Sequence, residues 1–214
     1  MSAGVFITLE GIEGAGKSTV AHWVVEWLGH RGIAVHLTRE PGGTELAERV
    51  RRIVLERGPE SLSAETETLL MFAARAIHLD NLIRPALARG EWVVCDRFTD
   101  ATRAYQGAGR GVEAAWIESL AARIHGDLEP DCTLLLDLPV PVGLARARGR
   151  TSECDRFETE TGAFFERVRA GYLELSRREP RRIRRIDAGA PLPAVQAAAA
   201  GVLGALLEAH AACP

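Results

Sequence analysis

An α/β fold, a five-stranded parallel sheet with helices on both faces and a short lid, is what the sequence predicts. Short, nearly continuous apolar runs alternate with longer segments of helical period, the pattern of strands joined by crossover helices. One of these strand-to-helix junctions is rich in glycine and reads G-x-x-x-x-G-K-S. The length of 214 residues, without internal repeat or evident linker, suits one domain over 1–214, with a polar segment at 148–161 set within it.

The five strands fall at 5–10, 33–38, 92–96, 133–138 and 183–187, each apolar enough to be buried on both faces. The first helix starts at Lys17 and runs to about residue 32, with Val20, Trp23, Val24, Trp27 and Leu28 at helical spacing before a glycine stop. Its two tryptophans read as core. Further helices are expected at 44–56, 64–79, 81–89, 113–125, 140–147, 163–178 and 192–209, the last alanine-rich and read as packing. Segment 148–161 has no apolar period and is dense in charge. On composition alone it is either a solvated surface loop or a mobile lid.

Hydrophobic residues at 47% and charged residues at 26% exclude a disordered or fibrous chain. A net charge of -3 argues against a surface for long nucleic acid, though a local basic cluster would still serve a small anion. No run of eighteen apolar residues and no signal-peptide pattern occurs, so the expectation is a cytoplasmic protein without membrane contact. Cys95, Cys132, Cys154 and Cys213 form no CxxC pair, and neither a disulfide framework nor a structural metal is indicated. Of 26 basic residues only Lys17 is lysine, which marks a place where a guanidinium fork would not serve.

That lysine closes Gly11-Ile12-Glu13-Gly14-Ala15-Gly16-Lys17-Ser18, followed by Thr19. The glycines let backbone N–H groups turn inward around phosphate oxygens, and the helix N-terminus adds its positive end. Lys17 then reaches the outer phosphates and Ser18 is placed to ligate Mg²⁺. The motif predicts the P-loop NTPase fold with ATP and Mg²⁺, but it names no reaction. A GTPase-type Asn-Lys-x-Asp element is impossible without a second lysine, and motor ATPases are larger. A small kinase fits, and it needs a second anion site with movable arginines.

Four motifs carry a resemblance that covers essentially the whole chain: the P-loop with acidic Glu13, the run Thr38-Arg39-Glu40-Pro41-Gly42-Gly43-Thr44, Asp96-Arg97-Phe98, and Tyr105-Gln106-Gly107 with Gly109-Arg110-Gly111. In their order and spacing the chain closely resembles the thymidylate kinases, which phosphorylate dTMP to dTDP in dTTP biosynthesis, and their bacterial members in particular. The resemblance implies that Arg39 grips the dTMP phosphate and that Pro41 follows a cis peptide bond. Asp96 would hold Mg²⁺ through water while Arg97 neutralises charge between the two phosphate groups; by itself, an Asp-Arg pair at a strand end also reads as a surface ion pair.

Arg75 is implied as reader of the thymine edge, with an aromatic residue four positions earlier stacked on the ring. Here Met71 holds that position and Phe72 stands three before, so Phe72 is the preferred stacking residue, with both also readable as core. Thr102 would contact the base, Tyr105 would exclude a 2′-hydroxyl, and Gln106 would line the nucleotide. Glu13 would meet the sugar 3′-hydroxyl or the metal shell. Gly14 stands where some members carry a P-loop arginine, which resembles the form that supplies this arginine from the lid. Arg150 is then the first candidate and Arg148 the second. The resemblance also implies a homodimer.

Overall fold

The computed structural model describes residues 4–56, 60–149 and 160–211. Its strands are β1 (Phe6–Glu10), β2 (Val35–Arg39), β3 (Trp92–Asp96), β4 (Cys132–Asp137) and β5 (Ile183–Asp187), all parallel in the order β2-β3-β1-β4-β5. The helices are α1 (Lys17–Gly29), α2 (Glu45–Leu55), α3 (Ala64–His78), α4 (Arg84–Ala88), α5 (Thr99–Thr102), α6 (Ala114–Ile124), α7 (Val140–Arg148), α8 (Gly162–Arg178) and α9 (Leu192–Ala211).

Every residue of β1 and β4 is buried, and β3 is buried up to Asp96. The expectation of burial on both faces fails for β2 and β5, which have exposed positions because they form the two edges of the sheet. A parallel sheet sends all its carboxyl ends to one side, here Glu10, Arg39 and Asp96, with Leu9 and Arg39 both in register with Asp96. Since β1 is the middle strand, the loop after it occupies the centre of that edge, where open α/β sheets bind ligands.

The expected break between the third and fourth helices is instead a π-helical turn, Leu79–Ile83, through which α3 runs into α4. Pro85 in the first turn of α4 has no N–H to give, and the wider turn before it accommodates that loss. A second π-helical stretch, Arg103–Gly109, extends α5 and carries Tyr105 and Gln106. Trp23 and Trp27 pack half-buried against the main core, and the Arg31 guanidinium lies 3.4 Å above the Trp27 ring. Cys95 and Cys132 are buried free thiols, with the Cys132 pKa pushed by burial up to about 11. Helix α9 buries Val195, Ala199 and Leu203 and meets Trp92 through His210, ring centroids 5.6 Å apart.

Asp100 on α5 ties this half of the sheet together. Its carboxylate holds Arg182, just before β5, through two bonds of 2.7 and 3.1 Å, and Arg103 at 2.9 Å. Burial alone would raise its pKa, but the two guanidiniums outweigh burial and lower it. Its stabilisation is therefore present at neutral pH and lost as pH falls below the ordinary aspartate range. Asp100→Asn should cost about 3 kcal/mol at pH 7 by urea denaturation, the scale of a broken buried ion pair, and the deficit should shrink towards pH 3.

Candidate active site

The P-loop enters its turn through Gly14 at φ 75° and Gly16 at φ 84°. Gly14 has a second reason to be glycine: a Cβ there would lie 1.9 Å from the carbonyl oxygen of Gly143 on α7. Helix α7, which leads towards the expected lid, thus packs directly on the loop, and no larger residue fits at position 14. Lys17 opens α1 and folds back, its Nζ donating to the Gly11 and Ile12 carbonyls at 3.2 and 3.1 Å. Burial lowers its pKa, with the Arg97 charge acting in the same direction, so a polyanion in the loop would restore the charged form.

Opposite the loop, Arg97 follows β3 with φ at 76°, and its guanidinium spans four partners. Nη1 donates to the Gly11 carbonyl at 3.0 Å and the Tyr172 hydroxyl at 3.1 Å. Nη2 donates to Glu13 Oε1 at 2.8 Å and the Tyr105 hydroxyl at 2.9 Å. Each tyrosine hydroxyl donates in turn to a carboxylate, Tyr172 to Glu10 at 2.6 Å and Tyr105 to Glu13 at 3.2 Å. Tyr105 also lies under the guanidinium, 4.7 Å from ring centre to Arg97.

An open cleft runs from the P-loop across Arg97 to Met71 and Arg75 of α3. Glu13, Gly14, Gly16, Lys17, Ser18, Arg39, Pro41, Arg75, Asp96, Arg97, Thr102, Tyr105 and Gln106 line it, which brings most of the expected site together. Ile12 and Ala15 point into the core, so with Gly11 they offer only backbone; Thr19 is exposed on the first turn of α1. The peptide bond between Glu40 and Pro41 is cis. Arg39 is clamped by Glu48 of α2 through Nε and Nη2 at 3.1 and 3.0 Å.

One expectation is corrected here. Phe72 does not line the cleft: it is buried with Val112, Ile117 and Ala121, its ring 4.8 Å from the Arg75 guanidinium, and Met71 stands on the cleft wall instead. One helical position rotates a side chain by about 100°, and here that turns the phenylalanine into the core. Thr102 lines the cleft wall, and its hydroxyl accepts a bond from Arg75 Nη2 at 3.2 Å. Arg150 and most of the 148–161 segment lie outside the described residues; of its ends, Arg148 closes α7 and Glu160 pairs with Arg110 at 2.8 Å.

Sequence reasoning missed Glu40, Arg51, Leu55, Phe98 and Ala101 on the cleft wall, and Glu10 and Tyr172 behind Arg97. A glutamate ending an otherwise apolar buried strand was a signal for Glu10. Tyr172 had none, since only the docking of α8 brings it there.

A divalent cation fits the site. Ser18 Oγ donates to Asp96 Oδ2 at 3.1 Å, and Asp96 Oδ1 is one of three buried side-chain polar atoms left without a partner among the described residues. A buried carboxylate oxygen without a donor is costly, and a hydrated metal ion beside the P-loop hydroxyl would satisfy it.

Comparison with known proteins is decisive at this point, because a family model described as "Thymidylate kinase" matches residues 9–199. The chain belongs to the thymidylate kinase family. It is 58% identical to a thymidylate kinase of Alkalilimnicola ehrlichii over 91% of this chain and 90% of that one. It is 57% identical to one of Pseudomonas syringae pv. syringae, over 96% and 97%. A solved thymidylate kinase from Ehrlichia chaffeensis superposes with a TM-score of 0.76 at 33% identity, covering 94% of this chain and 99% of that chain.

Glu10 gives this family site a pH signature. Burial, with the nearby Asp100 charge, raises its pKa to about 7. A raised carboxyl pKa contributes stability that is full below the unfolded value and lost as pH rises through the folded one. The wild-type chain should therefore lose on the order of 3 kcal/mol relative to Glu10→Gln between pH 4.5 and 8, measured by urea denaturation. An unchanged gap across that range would contradict the assignment.

Proposed function

We propose that the chain transfers the γ-phosphoryl group of ATP to dTMP, giving ADP and dTDP. The observation that carries this reading is the cleft itself, with a phosphate cradle at one end, an anion-binding arginine in the middle and a polar base pocket at the other. A non-bridging oxygen of the dTMP 5′-phosphate forms the new bond to the γ-phosphorus as the bond to the ADP oxygen breaks. That phosphate is already ionised at neutral pH, so the protein's work is positioning and charge neutralisation. P-loop N–H groups and Lys17 hold the ATP phosphates; Arg39 holds the acceptor phosphate once Glu48 yields its edge; Arg97 stands between the two. Ser18 and Asp96 would hold Mg²⁺, which when bound would neutralise charge on the ATP phosphates. Glu13, joined to Arg97 and Tyr105, faces the acceptor sugar.

The base pocket favours a pyrimidine with an oxo group beside a ring N–H. Gln106 Nε2 donates to Glu67 at 2.7 Å, and because a carboxylate only accepts, the amide nitrogen faces Glu67 and the Gln106 oxygen is available to accept from a ring N–H. Arg75 Nη1 is buried without a partner among the described residues and supplies the donor for the oxo group. Cytosine presents the reverse pattern. Met71 and Phe98 provide the apolar walls.

The test is ADP release from ATP and Mg²⁺ with dTMP, dUMP, UMP, CMP, AMP, GMP or no acceptor. Fast release with dTMP and weaker release with dUMP is expected; release independent of acceptor would defeat the reading. The family resemblance at Gly14 implies an arginine supplied from the segment after α7, with Arg150 the first candidate, and the close packing of Gly143 on position 14 supports that form. Arg150→Ala should lower kcat by about 10²- to 10⁴-fold with little change in KM for dTMP, the range of catalytic arginine fingers. A drop below tenfold would pass the role to Arg148.

The chain acts as a homodimer in this reading. Leu46 and Ile53 on α2 and Leu69 on α3 are each about half exposed on neighbouring helices, a patch suited to a second copy. It is cytoplasmic and engages neither membrane nor long nucleic acid. Helix α9 has the length and mean hydropathy of a membrane span, yet one face of it packs on the fold through Val195, Ala199 and Leu203.

A further inference from the structure

We propose that Glu40, His78 and Thr38 form a buried positioning relay that fixes the Arg75 guanidinium and so sets which pyrimidine the cleft accepts. This rests on the dTMP kinase reading above and adds residues that touch no substrate. The four side chains come from β2, the loop after it and α3, and all are buried: His78 at 0%, Arg75 at 2%, Glu40 at 4% and Thr38 at 8% exposure. Glu40 Oε2 accepts from Arg75 Nε at 2.7 Å, its Oε1 lies 3.1 Å from His78 Nδ1, and His78 Nε2 lies 2.7 Å from Thr38 Oγ1.

The direction of each bond follows from chemistry. An ionised carboxylate has no proton to give, so His78 Nδ1 carries one. In a neutral imidazole Nε2 then accepts, and the Thr38 hydroxyl donates. Neither Glu40 oxygen is left for another geometry, and Glu40 can turn only if three residues move together.

The loop above enforces the same arrangement. Gly43 crosses at φ 86°, and a Cβ there would fall 2.4 Å from both His78 Nε2 and Thr38 Oγ1. Backbone thus seals the relay from water, where its bonds are strongest. At the far end, Arg75 is held by Thr102 at 3.2 Å and flanked by the rings of Phe72 and Phe98 at 4.8 and 5.1 Å. Its position and plane are fixed, with Nη1 the one nitrogen left buried without an acceptor.

That rigidity is what base selection needs. A fixed donor rewards an oxo group and confronts the cytosine amino group with a second donor. An arginine free to swing aside would weaken the reward and remove the penalty. Loss of the relay should therefore change discrimination through KM more than it changes turnover.

The experiment measures kcat and KM for dTMP and dCMP, at saturating ATP and Mg²⁺, on the full chain and on His78→Leu, His78→Asn and Thr38→Val. His78→Leu should lower the dTMP to dCMP ratio of kcat/KM about tenfold, the scale of one hydrogen bond to a charged group, mostly through KM for dTMP. In His78→Asn the amide nitrogen takes the place of Nδ1 and should restore most of the ratio. Thr38→Val keeps the shape of the site and should give a smaller loss in the same direction, which decides the matter even where His78→Leu does not fold. An unchanged ratio in Thr38→Val and His78→Leu, or a loss in His78→Asn as large as in His78→Leu, overturns the relay. Absence of a dTMP preference in the wild-type chain overturns the function reading, a result distinct from equal discrimination by wild type and variants.

Discussion

Arg97 is the joint on which the site depends. Its backbone sits in the left-handed region at φ 76°, a strain of about 1 to 3 kcal/mol for a residue with a side chain. The strain is held on both sides: the Arg97 N–H donates to Leu9 at 3.0 Å, and the Phe98 N–H to Glu10 at 2.8 Å. The backbone reversal throws the guanidinium back across β1, where it meets the P-loop, Tyr105 of the π-helical stretch and Tyr172 of α8. Three elements are fixed to one cation. Both tyrosines accept from Arg97 and donate to a carboxylate, so the central charge is balanced by Glu13 directly and through Tyr105, and by Glu10 through Tyr172.

The charges around that joint are arranged for ligands yet to arrive. Of the three buried polar side-chain atoms without a partner among the described residues, Arg75 Nη1 and Asp96 Oδ1 belong to cleft-lining residues; the third belongs to His125, whose pKa burial lowers to about 4. The orphan donor stands beside Thr102 and Phe98, and the orphan acceptor beside Ser18 of the P-loop. A fold that leaves such groups unsatisfied gives up stability, and binding recovers it. Lys17 shows the same logic: buried and drawn onto loop carbonyls, it has its charge disfavoured until phosphates replace them.

Much of this was legible in the chain because the signals were local. Strands β3 and β5 fall on the expected residues: Trp92-Val93-Val94-Cys95 is a continuous apolar run, whereas in β5 only Ile183 and Ile186 are apolar, as suits an edge strand. The P-loop was legible for the same reason, as glycine placement, strand and helix all lie within about twenty residues. What sequence could not settle was rotation and long-range docking. Met71 and Phe72 differ by one step on a helix whose orientation only the packing of α6 decides, and that packing takes the phenylalanine inward. Tyr172 reaches Arg97 because α8 packs on the π-helical stretch, a contact spanning more than sixty residues that no local pattern announces.

Gly14 shows how a single small residue commits the architecture. In a phosphate cradle a glycine is expected for its positive φ alone, and by that criterion Gly14 and Gly16 are equivalent. They differ in what a side chain would meet: at Gly16 open space, at Gly14 the backbone of α7. The contact is reciprocal, because a Cβ on Gly143 would come within 2.6 Å of the Glu13 carbonyl oxygen. Two glycines on separate elements therefore bring the helix that precedes segment 148–161 to van der Waals distance from the loop that holds the donor phosphates. An arginine inside the loop and a helix packed on it are mutually exclusive. With the helix in place, position 14 holds no side chain, and the loop's own cation is Lys17.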